Sequence, residues 1–225
     1  MNQLKVFLEI GKKKTFAGAV DWPGWCRSGK DEINAMQSLL DYAPRYAQVL
    51  AGSGLDFQPP DEIAGLVVVE RQPGNATTDF GAPDAILSSD QAEVNQTENG
   101  FFQEVLQGCW RICDQAALVA RGKELRSGPR GGGRDLDKII HHLIEGDRAY
   151  LRRLAWTFSR DAEAPPEEEL ARIHAAILDA LQAAQRGDLP TEGPRGGKIW
   201  PVRFFVRRAA WHTLDHAWEI QDRML

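Results

Sequence analysis

Two histidines, His212 and His216, lie four residues apart near the end of the chain. An α-helix turns by roughly 100° per residue, so both imidazoles would leave the helix from one side. That side is apolar, since it also carries Phe205, Ala209 and Ile220. An apolar position excludes an imidazole unless its nitrogens find partners, and a divalent metal ion is such a partner. The spacing therefore predicts a metal site, with a hydrogen-bonded pair of core histidines as the alternative.

A metal site needs a third ligand, and the chain has five histidines in all. His141 and His142 lie in a second helical pattern, far from the centre of its apolar stripe and on opposite sides of it. Helix geometry barely separates the two, so the choice between them stays open at this point. His174 follows Ile173 on another helical pattern and has no partner at ligand spacing. We expect that it is not a ligand.

Cysteines and carboxylates near these segments are further candidates. Cys109 and Cys113 lie four residues apart and could supply soft ligands or a redox pair, although buried cysteines usually serve as small apolar packing. Asp215 and Glu219 lie close to the histidine pair in the sequence and could orient an imidazole N–H or act as a base. A surface position is the alternative for both carboxylates.

Helical periodicity dominates the second part of the chain. Four helical patterns follow one another, at residues 97–121, 135–158, 166–186 and 201–223, and each has its own apolar stripe. Four helices of this length predict a bundle. The connection at 159–165 is short, so we expect the second and third of these helices to be antiparallel neighbours. The predicted fold class is therefore mainly α.

The first part of the chain is typical of a small α/β unit. Residues 4–10, 15–20 and 66–69 have the patterns of strands, and a helical pattern covers 31–50 with a break expected at Pro44. Residues 72–96 are rich in Pro, Gly, Ser and Thr and have little periodicity. We therefore divide the chain into a small α/β domain (1–75), a linker with few contacts (76–96) and a four-helix bundle (97–225).

The pentapeptide Gly-Pro-Arg-Gly-Gly occurs twice, at 128–132 and at 193–197, each time before a histidine-bearing helix. If the two helices run parallel, Arg130, Arg134, Arg195 and Lys198 meet at one end, where they could bind an anion. A flexible turn that is used twice is the favoured alternative.

Composition narrows the class of protein. The 225-residue chain has a net charge of −5 and an isoelectric point near 5.6, which argues against a protein that coats nucleic acid. No apolar run approaches the ~20 residues that span a bilayer, and the N-terminus lacks the pattern of a secretory signal. Three cysteines are too few for a disulfide framework. We expect a cytoplasmic protein without membrane or nucleic-acid partners.

The segment 97–225 resembles the DinB/YfiT-like superfamily. The likeness rests on a His-Leu-x-x-x-Asp segment in the second helix, from His142 to Asp147, and on His-x-x-x-His in the fourth, from His212 to His216. It implies a four-helix bundle in which three histidines bind one divalent ion, commonly zinc or nickel, and leave positions open to water or substrate. Because the ligand in that family is followed directly by an apolar residue, the likeness favours His142 over His141.

A fainter likeness covers about the first 70 residues. Residues 21–29, Asp-Trp-Pro-Gly-Trp-Cys-Arg-Ser-Gly, lead into an acidic helix that contains Ala35. This arrangement is similar to the strand, turn and helix of HicB-like antitoxin domains, and it implies a small α/β module that binds a partner. We expect an accessory or oligomerising domain, for example in a homodimer.

Two functions follow from these likenesses. The first is a metal-dependent enzyme that acts on a small anionic substrate, either as a hydrolase or as a transferase or isomerase that uses a low-molecular-weight thiol. A metal ion lowers the pKa of bound water and polarises a carbonyl, so few other catalytic residues are required. The alternative is a non-catalytic, stress-related metal-binding protein whose HicB-like module binds a partner. Three protein ligands would favour the enzyme, and four would favour a structural site.

Overall fold

The computed structural model describes residues 3–127, 133–193 and 197–225. The protein is mainly helical, with a small four-stranded mixed sheet in its first part. The strands are β1 (Leu4–Ile10), β2 (Thr15–Ala19), β3 (Cys26–Gly29) and β4 (Leu66–Pro73). The α-helices of the described residues are α1 (Glu32–Asp41), α2 (Ala43–Val49), α3 (Ala76–Phe80), α4 (Gln96–Ala120), α5 (Leu136–Arg153), α6 (Pro166–Gln185) and α7 (Val202–Arg223).

The sheet has the strand order β3-β2-β1-β4. β1 pairs antiparallel with β2 and parallel with β4, and β2 pairs antiparallel with β3. Helix α1 packs against β2 and β3. Three of the strands match the segments that periodicity predicts. Sequence reasoning missed β3, because Cys-Arg-Ser-Gly is short and polar and has no apolar alternation.

The helical pattern at 31–50 forms two helices, α1 and α2, with the break where it was predicted. Asp31 caps the start of α1 through its side chain. Pro44 lies in the first turn of α2, where its missing N–H leaves no helical hydrogen bond unmade. On α2, Tyr46 stacks on Trp25 and donates its hydroxyl proton to the carbonyl of Pro23 at 2.8 Å. These contacts attach α2 to the turn before β3.

Residues 76–96 make more contacts than their composition predicts. They include α3 and a short 3-10 helix at Ser88–Gln91. The buried carboxylate of Glu9 in β1 accepts hydrogen bonds from the backbone N–H groups of Asp84 and Ala85, each at 2.8 Å. Asp90 forms a buried ion pair with Arg207 of α7. The segment is therefore fastened both to the sheet and to the last helix.

Each of the four long helices contacts two others: α4 packs on α7, α7 on α5, α5 on α6 and α6 on α4. One continuous cluster of buried apolar residues runs from Leu4 in β1 to Ile220 in α7, so the sheet and the long helices share a core. Helix α5 ends at Arg153, earlier than the predicted 158, because Ala155 adopts a left-handed conformation (φ 56°) that stops it. Among the described residues, no helix is long and apolar enough to cross a bilayer.

Candidate metal centre

Helices α5 and α7 bring three of the histidines together. His142 lies on α5, and His212 and His216 lie one turn apart on α7. One ring nitrogen from each histidine falls within 4.8 Å of the other two, and Nε2 of His142 lies 3.2 Å from Nε2 of His212. The neighbouring His141 is exposed and lies outside this cluster. The side of α5 that faces α7 therefore carries His142, and His141 lies outside it.

Gly146 allows the two helices to approach each other at the cluster. It lies one turn after His142 on α5, against the imidazole of His212. A Cβ atom at Gly146 would lie 2.4 Å from Cε1 and 3.0 Å from Nδ1 of His212, so any side chain there would displace the ring. A glycine inside a helix costs roughly 1 kcal/mol relative to alanine. The space that His212 needs explains why α5 has a glycine at this position.

The spacing of the nitrogens fits one tetrahedrally bound divalent ion. With Zn–N bonds of about 2.0–2.1 Å, the nitrogens of a tetrahedral site lie about 3.3 Å apart. The 3.2 Å between His142 and His212 is close to this value. Burial lowers the pKa of His142 to about 4, with smaller contributions from His216 and Arg134. Burial also lowers the pKa of His212 well below its ordinary value. Both imidazoles are therefore neutral at pH 7, which is the form that binds a metal ion.

A chain of hydrogen bonds orients His216. Its Nδ1 lies 2.8 Å from Oε2 of Glu219, so Nδ1 carries the proton and Nε2 keeps its lone pair free for an ion. The other carboxylate oxygen of Glu219 accepts a hydrogen bond from Arg223. The guanidinium of Arg223 also donates to the backbone carbonyls of Arg126 (2.7 Å) and Arg134 (2.9 Å). We call this chain, from His216 through Glu219 to Arg223, the relay.

Of the two carboxylates close to the histidine pair in the sequence, Glu219 is the one that is hydrogen-bonded to an imidazole. The hydrogen bond from His216 lowers the pKa of Glu219, and Arg223 lowers it further, so Glu219 is ionised at pH 7. Asp215 pairs instead with Arg27 of β3 at 3.1 Å. Asp215 therefore attaches α7 to the sheet, and Glu219 orients a histidine.

Aromatic and cationic side chains surround the inner part of the cluster. The ring centroid of Tyr150 lies 5.5 Å from that of His212, with the rings at 74°. Arg208 lies over the rings of Tyr150 and Trp211. Nδ1 of His212 is buried and has no hydrogen-bond partner among the described residues, whereas its Nε2 lies 3.2 Å from Nε2 of His142. His142 is only half-buried, so the cluster opens to solvent on the α5 side.

Cys109, Cys113 and His174 lie outside the cluster. Burial raises the pKa of the Cys113 thiol to about 12 and also raises that of Cys109, so both stay protonated and act as packing residues. His174 stacks on Trp110, with ring centroids 4.1 Å apart. These positions agree with the expectations that the cysteines pack and that His174 is not part of the ligand group.

Asp147, which the likeness to the DinB/YfiT-like superfamily singles out, is buried next to α6. Its Oδ2 lies 3.9 Å from Nε2 of His174, and its Oδ1 has no hydrogen-bond partner in the described part of the chain. Burial raises the pKa of Asp147 to about 7 and lowers the pKa of His174 to about 3. At neutral pH His174 is therefore uncharged and Asp147 is about half ionised, and the two side chains join α5 to α6 within the core.

The sequence also predicts a meeting of four cations before α5 and α7. Two of them, Arg130 and Arg195, lie outside the described residues, as do 128–132 and 194–196 of the repeated pentapeptides. Arg134 leads into α5 and is exposed, and Lys198 is exposed before α7. Of the two cations that the structure describes, Arg134 is the one whose backbone the relay holds.

Sequence reasoning missed two residues that position the candidate ligands, Gly146 and Arg223. A glycine inside the helical pattern, one turn after a candidate ligand, was a usable signal for close helix approach. Arg223 lies four residues after Glu219, which is the spacing of an ion pair on a helix. Its contacts with the backbone before α5 span a long stretch of chain and leave no local pattern.

Comparison of the chain with protein-family models, with curated proteins and with solved structures gives no match. The geometry of the site is therefore the basis of the function proposed below.

Proposed function

We propose that this protein is a metal-dependent enzyme and that its ion, zinc or nickel, is bound by His142, His212 and His216. The observation that carries the proposal is the convergence of three ring nitrogens within 4.8 Å of one another. A hydrogen-bonded histidine pair would account for His142 and His212. It would not account for the third ring, because His216 already has a hydrogen bond to Glu219 and yet its centroid lies 4.9 Å from each of the other two.

The described residues offer three ligands and no fourth. The group that could hold an ion contains only histidines, and Glu219 is already engaged by His216 and Arg223. Structural zinc sites use four protein ligands, whereas catalytic sites use three and leave a position for a small molecule. The half-buried position of His142 supports access from solvent. Both features favour catalysis over a structural role.

An ion bound in this way would lower the pKa of water towards neutrality, polarise a carbonyl group or bind a thiolate. The chain itself would supply orientation and exclusion of water. Glu219 fixes the tautomer of His216, and Gly146 makes room for His212. Tyr150 closes the inner side of the cluster. A substrate would therefore approach from the side of His142.

We further propose that α4, α5, α6 and α7 form the four-helix bundle of the DinB/YfiT-like superfamily. The contacts of each helix with two others support this, as does the position of the histidines on the second and fourth of them. The proposed reaction is a hydrolysis, or a transfer or isomerisation that uses a low-molecular-weight thiol, on a small anionic substrate. The HicB-like assignment of 1–75, a homodimer and a cytoplasmic location stay predictions.

A non-catalytic, stress-related metal-binding protein is the second candidate, and one observation favours it. Asp215 lies between the two proposed ligands of α7 and pairs with Arg27 of β3. An ion that stabilises this part of α7 would therefore also stabilise the contact of α7 with the α/β module. In that case metal binding would control how the module engages a partner.

Metal analysis of the purified protein and of four alanine variants tests the proposal. His142→Ala, His212→Ala and His216→Ala should lose the ion, and the melting temperature of each should no longer rise when metal is added. His141→Ala is the matched control, since His141 is the exposed neighbour of a proposed ligand. It should retain one ion per chain. A triple alanine variant that still bound one ion per chain would show that the site is elsewhere.

A second measurement separates the two candidates. The absorption spectrum of the Co²⁺-loaded protein should change when a small thiol is added, because three protein ligands leave a position for it. An unchanged spectrum would indicate a closed site and would favour the structural alternative.

A further inference from the structure

We propose that the protein has a binding site for a single halide ion, such as chloride, between the sheet and α7. A small cavity opens at this place, and three parts of the chain line it. These parts are the strands β1 to β3 with the turn before β3, the segment 76–96, and α7. None of the described histidines lines this cavity, so the halide site does not depend on the proposed metal centre.

Two buried N–H groups of the lining side chains have no hydrogen-bond partner among the described residues. They are Nε1 of Trp211 and Nε of Arg208. Trp211 is only 5% exposed, and the guanidinium carbon of Arg208 lies 4.9 Å from the centre of its ring. The two donors therefore belong to side chains that contact each other at the wall of one cavity. Because a buried donor without an acceptor is destabilising, this pair indicates a ligand that accepts hydrogen bonds.

The cavity wall offers donors to such a ligand and no side-chain oxygen from the described residues. Burial raises the pKa of the Cys26 thiol in the wall, so this group stays protonated and uncharged. The backbone carbonyls of Pro83 and Ala85 already accept hydrogen bonds from Arg208 and Arg207. A water molecule needs acceptors for its own protons as well as donors, whereas a halide ion only accepts. The wall therefore favours a halide over water.

The charges around the cavity also suit an anion. Arg208 forms no ion pair within the part of the chain that the structure describes, so its charge is not compensated by a carboxylate. Arg207 is paired with Asp90, which does not line the cavity. The buried carboxylate of Glu9 also lies outside the wall, and it accepts hydrogen bonds from two backbone N–H groups. The positive charge that remains in the wall is that of Arg208.

The size of the cavity restricts the ligand to about one atom. The centre of a water-sized group has about 10 Å³ in which to move, which is close to the minimum space for one ordered water molecule. A monoatomic ion fits this space, whereas a carboxylate or a phosphate has too many heavy atoms. A halide would satisfy the two free donors of α7 and fill the gap between α7 and the sheet. We therefore expect that halide binding stabilises the fold.

Thermal unfolding of the full-length protein tests the inference. Potassium gluconate is replaced stepwise by potassium chloride or potassium bromide at constant ionic strength, so that only the anion changes. The variants are Trp211→Phe, which keeps a buried ring but lacks the indole N–H, and Trp110→Phe as a matched control. Trp110 is 6% exposed on α4, stacks on His174 and does not line the cavity. Each titration is repeated with a chelator, which separates a halide in this cavity from one bound to a metal ion.

The melting temperatures of the wild type and Trp110→Phe should rise by about 3–6 °C once the halide reaches about ten times its dissociation constant. Most of this rise should be lost in Trp211→Phe, and the chelator should change neither result. Wild-type crystals grown in bromide should show an anomalous difference peak between Nε1 of Trp211 and Nε of Arg208.

The other outcomes overturn the inference. A wild type whose melting temperature does not depend on the halide, or a Trp211→Phe variant that responds as the wild type does, would show that the cavity binds no halide. Electron density for a water molecule there, without an anomalous peak in bromide, would lead to the same conclusion. A halide effect that the chelator abolishes would assign the anion to the metal centre, which would then stand while this inference fails. If Trp211→Phe does not fold, the bromide peak of the wild type decides.

Discussion

The substitution Glu219→Gln should weaken the metal centre without removing any of its ligands. Glu219 accepts one hydrogen bond from Nδ1 of His216 at 2.8 Å and another from Arg223. Glutamine has a single oxygen, so it cannot accept both. If the oxygen faces Arg223, the amide donates to Nδ1 of His216 and moves the ring proton to Nε2, where it blocks the ion. If the oxygen faces His216, the NH2 group of the glutamine faces the guanidinium of Arg223. Both groups are donors, so the hydrogen bond between positions 219 and 223 is lost.

The expected loss of metal affinity is about 10- to 100-fold, the usual effect of removing a group that orients a metal-bound histidine. This corresponds to about 1.4–2.7 kcal/mol. Loss of one hydrogen bond to a charged group gives a similar value, about 1.5–3 kcal/mol. Glu219 is half-buried, and water can replace part of the lost interaction. We therefore expect the effect to lie in the lower half of the range.

Competition between the apo-protein and a zinc-binding dye gives the dissociation constants of the wild type, Glu219→Gln and Asp215→Asn. Asp215→Asn is the matched control, because it makes the same chemical change next to His216 but removes only the ion pair with Arg27. Its affinity should stay within about threefold of the wild type, since it loses one partly exposed ion pair. Equal affinities of the wild type and Glu219→Gln, or equal losses in both variants, would refute the role given to Glu219.

Two further substitutions test residues that are not ligands. Gly146→Ala should lower metal affinity although alanine favours a helix by about 1 kcal/mol, because its Cβ would overlap His212. Its control, Gly100→Ala on α4, meets open space and should raise the melting temperature and leave metal affinity unchanged. Asp147→Asn should alter the pH dependence of stability in the apo-protein. Burial raises the pKa of Asp147 from 3.8 to about 7. The contribution of its protonated form to the free energy of unfolding is therefore fully present below pH ~4 and is lost as the pH rises through 7. Between pH 5 and pH 7 the free energy of unfolding of the wild type should therefore fall by about 2 kcal/mol relative to that of the variant, as measured by urea unfolding. A difference between the two proteins that stays constant with pH would contradict this.

Local periodicity accounts for the parts of the fold that the sequence predicts well. The long helices and the strands β1, β2 and β4 each repeat their apolar residues at the period of one element, and that pattern does not depend on the rest of the chain. The pairing of His212 with His216 is local in the same way, because one helical turn separates them. The short strand β3 has no such pattern and is held by its neighbours in the sheet.

The choice between His141 and His142 depends on how α5 is rotated against α7, and no local pattern specifies that rotation. The contact of Gly146 with His212 is part of what sets it, and this contact joins residues far apart in the chain.

The role of Glu219 is different, because it could have been assigned from spacing alone. Glu219 lies three positions after His216 and therefore on the same side of the helix. Asp215 is adjacent to His216 and lies roughly 100° away around the helix.

The proposed metal centre has its candidate ligands only on helices, yet the surroundings of α7 make it depend on the first part of the chain. Its buried residues lie on more than one side: His212 and His216 face α5, while Trp211 packs among apolar residues of the sheet. Gly24, with φ 89°, lies so close to α7 that a Cβ there would be 2.9 Å from that of Ala210. A helix with buried residues on more than one side has to be enclosed, and helices on one side cannot enclose it. The sheet therefore fixes the rotation of α7 from another direction. Because the ligands of a metal site must be held to within about 0.5 Å, the α/β unit would support the proposed site, although among the described residues the candidate ligands all lie on α5 and α7.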